Sequence, residues 1–149
     1  NEKVCSTFDT TINGRICLMN SESIVNAIGD IYYLLEMDST GAEYIYFQNL
    51  DSTKYLKMFP LPGGVRNTMI AFELGYNHQK TGSMLKCNDF ETNTGIHLGL
   101  DLDHVKAILG EPRNESHING ELFVQYYCIE SMYFYNLVFK SNNFTSPLS

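Results

Sequence analysis

Lys86-Cys87-Asn88-Asp89-Phe90-Glu91-Thr92 repeats Val4-Cys5-Ser6-Thr7-Phe8-Asp9-Thr10, with Cys, Phe, an acid and Thr at matching places. The likeness continues after a short slip. Ile16, Leu18, Val25, Ala27 and Ile28 fall on Ile96, Leu98, Val105, Ala107 and Ile108, and both segments end in glycine, at Gly29 and Gly110. Self-similarity of this kind is the mark of one folding unit used twice. It divides the chain into residues 1–82 and 83–149. The expected architecture is α+β, with two tandem helix-plus-sheet units forming one curved antiparallel sheet and helices on one side.

Each copy reads the same way locally. In the second, Asp101 is placed to cap a helix, Leu102, Val105 and Leu109 recur on one face, and Gly110 with Pro112 stops it. In the first, Asn20 or Ser21 caps, Ile24, Val25 and Ile28 form the apolar face, and Gly29 ends the helix. Period-2 runs then predict strands over 30–37, 43–48, 54–59 and 68–75, and over 113–117, 121–129 and 132–140. Asn119-Gly120 is a strong hairpin turn. Aligning Phe72 with Phe139 leaves the first copy longer, which predicts a loop insertion centred on 51–64.

Composition narrows the function classes. With 149 residues, 44% of them hydrophobic and 18% charged, the chain can bury a core. Its net charge of −7 and scattered basic residues oppose a phosphate backbone, so nucleic acid is not an expected partner. No apolar run is long enough for a transmembrane helix. The start at Asn1 without an initiator Met predicts a removed signal peptide or lipoprotein leader, and four Cys lean towards an oxidising compartment. The expected pairs are Cys5 with Cys17 and Cys87 with Cys128, and the expected location is secreted or periplasmic.

The run Thr94-Gly95-Ile96-His97-Leu98-Gly99-Leu100-Asp101, with Val105, Leu109, Gly110 and Pro112 after it and an Asn-Gly hairpin beyond, resembles the repeat of the β-lactamase-inhibitory-protein-like fold. It is also similar to the small lipoprotein of the bacterial outer-membrane β-barrel assembly machine. The first half carries a worn version, with Arg15 and Met19 where the second has glycines. The resemblance implies a helix-loop-helix and an antiparallel sheet in each copy, and in the inhibitory proteins the concave sheet grips an enzyme. The matched residues are scaffold, so no inhibitor contact residue is carried over. Asn114-Glu115-Ser116 and Asn143-Phe144-Thr145 match glycosylation acceptors, which a bacterial setting would not use.

His97, Asp101, Asp103 and His104 form the densest polar cluster. A capping role for Asp101 and a first-turn role for Asp103 account for it without a metal. No Gly-x-Ser-x-Gly elbow, Cys-x-x-Cys pair or phosphate-cradling glycine loop is present, so neither a catalytic set nor a cofactor is expected. The better lead is aromatic. Ten Tyr and nine Phe fall largely in the strands, and Tyr44, Tyr46, Tyr126, Tyr133 and Tyr135 are the expected contact residues on an outward sheet face, with Tyr127 the alternative to Tyr126, and Ile45 with Phe47 the alternative to Tyr44 with Tyr46. The expected function is non-catalytic binding of another protein at the cell envelope or outside the cell, inhibition being one form of it. That face and the 51–64 loop would make the contact. The rivals are a small hydrolase or ligand-binding protein with a pocket between the copies, and a structural envelope lipoprotein with a lipid anchor upstream of residue 1.

Overall fold

The computed structural model describes residues 9, 11–14, 16–17, 26, 35–60, 69–77, 82–128 and 133–146. They form strands β1 (Thr11–Ile12), β2 (Ile16–Cys17), β3 (Glu36–Met37), β4 (Glu43–Gln48), β5 (Lys54–Pro60), β6 (Met69–Tyr76) and β7 (Ser83–Met84). Helix α1 (Leu102–Leu109) follows, and then β8 (Asn114–Ile118), β9 (Glu121–Cys128), β10 (Tyr133–Lys140) and β11 (Asn143–Ser146). Strand predominates, which corrects the α+β expectation. Nor do the strands join in one sheet. Among the described residues β8 to β11 bond as an antiparallel meander, β3 to β6 as another with β7 added parallel to β4, and β1 pairs with β2 and, through an isolated antiparallel bridge from Ile12, with Thr92.

Two compact units result, one of residues 1–9 with 94–149 and one of residues 10–93. The boundary thus falls at 93/94, where the sequence repeat placed it at 82/83. The first-copy helix expected near 20–29 lies, apart from Asn26, outside the described residues.

No helix precedes α1 in residues 82–101, so the expected helix-loop-helix is not formed there. Gly95 and Gly99 sit at φ of +98° and +89°, in the left-handed region that interrupts a helix. The backbone groups there are spent elsewhere: the Gly99 N–H donates to the Phe144 carbonyl at 2.8 Å, and the Phe144 N–H to Leu100 at 2.9 Å. α1 itself follows its sequence. The Asp101 carboxylate accepts the His104 N–H at 2.8 Å, Val105 and Leu109 are buried, and Gly110 closes the helix at φ +86°.

The C-terminal sheet is set by its turns. Asn119-Gly120 and Ser141-Asn142 both have positive φ at their two central positions, the twist that joins antiparallel neighbours most tightly. Val124, Tyr126 and Cys128 of β9 and Tyr135, Leu137 and Phe139 of β10 then share the buried side with Val105, Leu109 and Phe144.

In the N-terminal unit, residues 54–60 of the expected 51–64 insertion are strand, and residues 61–64 lie outside the described residues. β5 occupies the centre of that sheet, with Leu56 and Met58 fully buried between Ile45 and Phe47 of β4 and Leu74 of β6. Aligning Phe72 with Phe139 hid this. In sheet order β5 stands where β10 stands in the other meander. Buried Asn49 fastens the β4–β5 turn: its Nδ2 donates to the Asn88 carbonyl at 2.8 Å and its Oδ1 accepts the Lys54 N–H at 2.9 Å.

Candidate functional site

The tyrosines named as contacts are mostly interior. Tyr126 is fully buried and its hydroxyl donates to the Gly110 carbonyl at 2.8 Å, tying β9 to the end of α1. Tyr135 is 7% exposed, and its hydroxyl donates to the buried carboxylate of Asp9, which also accepts the Thr94 N–H at 3.1 Å and the Thr94 hydroxyl at 2.6 Å. Tyr46 is buried too, stacked on Tyr55 at 5.1 Å and donating to Asn77 Oδ1 at 2.5 Å. Gly82 lies against it, close enough that a Cβ there would fall 2.7 Å from the ring. Tyr44 is half-buried, with Lys57 Nζ 4.4 Å from its ring centre. Tyr133 pairs with Cys128 in the ladder, and its side chain lies outside the described residues.

The surface that does open is the other side of β8–β9–β10. Register places Asn114, Gln125 and Asn136 in one row across the three strands. Their amides form a ladder: Asn114 Nδ2 donates to Gln125 Oε1 and Gln125 Nε2 to Asn136 Oδ1, each at 3.0 Å. Beside that row Tyr127 and Phe134 face each other with ring centres 6.1 Å apart, and the Arg113 guanidinium lies 4.5 Å from the Tyr127 ring centre. Phe134 is 51% exposed, an unusual share for a phenyl group. Phe123 and Ser116 form the next row, and Val138, nearest β11, is buried, so the opening lies towards β8.

The sequence reading held Tyr127 only as the alternative to Tyr126 and missed Arg113 and Phe134 as contacts, although a signal existed. Gln125 and Asn136 share their parity with Tyr127 and Phe134, and two uncharged amides in otherwise apolar strands mark the wet side.

The described histidines of the rival reading have separate surroundings. His104 is 70% exposed and its Nδ1 pairs with Asp101 at 2.7 Å, inside the helix cap. Those contacts hold the Asp101 carboxyl below the usual carboxylate range, first through the His104 N–H and then through its ring. His97 Nδ1 bonds to the neighbouring Leu98 carbonyl at 2.9 Å, and His117 is exposed on β8. His78 lies outside the described residues. Among the described residues, no three His, Cys, Asp or Glu gather as a metal site would require.

Cys87 is a free thiol, which removes the expected Cys87–Cys128 pair, and burial pushes its pKa up, away from nucleophile chemistry. Cys128, by contrast, is disulfide-bonded. The expected Cys5–Cys17 pair lies outside the described side chains.

No helix among the described residues is long and apolar enough to cross a membrane. Comparison with protein-family models, with curated proteins and with solved structures finds no match to this chain.

Proposed function

We propose that this chain is a non-catalytic recognition module, working outside the cytoplasm, that binds another protein through the open face of β8–β10. The observation that carries the reading is the composition of that face: an exposed phenyl ring at Phe134, a tyrosine backed by a guanidinium, and a row of amides. Aromatic rings bury large area at small entropic cost, arginine and tyrosine are the residues over-represented at interface centres, and amides supply adaptable hydrogen bonds. The disulfide at Cys128 supports an oxidising compartment, because cytosolic thiols are kept reduced. The separate engagements of His97 and His104 support a role without catalysis.

The test compares wild type with a Tyr127→Ala, Phe134→Ala double variant and with Tyr135→Phe, each checked by circular dichroism, in capture experiments on envelope and culture-fluid fractions. Protein partners held by wild type and Tyr135→Phe but lost by the double variant are expected. Equal recovery by all three refutes the assignment.

A further inference from the structure

We propose that the outer edge of β8 pairs antiparallel with the same edge of a second copy, in the register centred on Ser116. β8 ends its sheet, and among the described residues its only strand partner is β9. All five of its residues are exposed. An edge of this kind offers backbone donors and acceptors to another chain unless it is blunted, and Asn114–Ile118 contains neither proline nor lysine.

The geometry selects the register. A two-residue turn at Asn119-Gly120 closes on a hydrogen-bonded pair, Ile118 with Glu121, and antiparallel pairing alternates from there. Asn114, Ser116 and Ile118 therefore spend their backbone groups on β9, while Glu115 and His117 point theirs outward. A two-fold pairing must join these outward residues. Centred on Glu115, it sets two carboxylates face to face; centred on His117, it sets imidazole against imidazole and Glu115 against the turn. Centred on Ser116, it sets each Glu115 opposite His117 of the second copy, twice by symmetry.

A carboxylate opposite an imidazole N–H is a favourable cross-strand pair in either protonation state of the ring. Glu115 is already steadied from its own unit by Lys106 Nζ, 3.7 Å away, which also lies 3.5 Å from Glu111. The amide and aromatic face then continues from one copy into the next. This inference concerns the strand edge and stands independently of what binds the face.

The test uses the full chain in a Cys87→Ser background, to remove the free thiol. In the proposed register Ser116 meets its own mate at a non-hydrogen-bonded position, where Cα atoms approach to about 4.5 Å and a disulfide fits. Ser116→Cys is expected to oxidise to a covalent dimer and Asn114→Cys, opposite Ile118, to remain monomeric. Sedimentation velocity is expected to show reversible dimerisation of wild type, weakened at least tenfold by Glu115→Lys and restored by Glu115→Lys combined with His117→Glu. A wild-type chain that stays monomeric at high concentration, cross-linking no better at 116 than at 114, or dimers indifferent to Glu115→Lys would each overturn the proposal.

Discussion

Tyr135→Phe removes one oxygen from the interior and should cost stability without touching recognition. The hydroxyl donates to Asp9, whose carboxylate is 4% exposed and is otherwise held by the Thr94 N–H and hydroxyl. A hydrogen bond to a charged acceptor contributes about 1.5–3 kcal/mol, and losing it leaves a buried carboxylate one donor short. The ring stays, so no cavity term is added. A loss of about 2 kcal/mol follows, equivalent to a melting temperature lower by roughly 4–8 °C for a chain of this size. Asp9→Ala strands three donors at once and should cost more, about 3–5 kcal/mol. The double variant should fall well short of the sum, because the two residues share one bond. Urea unfolding of the four proteins measures all three quantities. A Tyr135→Phe change within about 0.5 kcal/mol of zero, the range of ordinary surface substitutions, would place the hydroxyl in water and refute the interior assignment.

Asn49→Ala should destabilise the N-terminal unit by about 2–3 kcal/mol, since its two sides hold Asn88 and Lys54 at once, and amide exchange at Lys54 should accelerate. Gly75→Ala should cost about 1–3 kcal/mol, because a Cβ there falls 2.3 Å from the Tyr55 ring, which covers the glycine and donates to Glu73 at 2.5 Å. Adding Tyr55→Ala should relieve much of that strain, and additive losses in chemical denaturation would count against it. Asp101→Asn should leave helix content intact near neutrality, as both residues cap well, yet alter the acid limb of stability. The folded Asp101 carboxyl is held below its ordinary value, so its contribution is full above the unfolded carboxylate range and fades as pH falls through the depressed value. Wild type should therefore lose more melting temperature than the variant on acidification, and parallel curves would show that the carboxylate does not act through its charge.

The parts of the fold legible in the sequence were those governed by local chemistry. Asp101 as cap, Gly110 as stop and Asn119-Gly120 as turn act within a few residues of themselves, and strands β4, β5, β6, β9 and β10 follow from period-2 runs of aromatic and branched residues. What depended on distant partners was not legible. The Gly95 and Gly99 segment could be read as a helix approach because nothing local reveals that Phe144 will take its backbone bonds. β5 was identified as a strand and yet assigned to an insertion, since an alignment of single residues cannot say which strand is central. The face of β9–β10 was inverted for a related reason. Alternation sorts residues onto two sides but does not say which side is wet, and a tyrosine suits either when a buried acceptor awaits its hydroxyl. Gly110 and Asp9 are those acceptors, and neither neighbours its tyrosine in sequence. An amide has two donors and two lone-pair sites, which a sheet core rarely satisfies. Gln125 and Asn136, not the tyrosines, were therefore the residues whose chemistry distinguished the open face from the closed one.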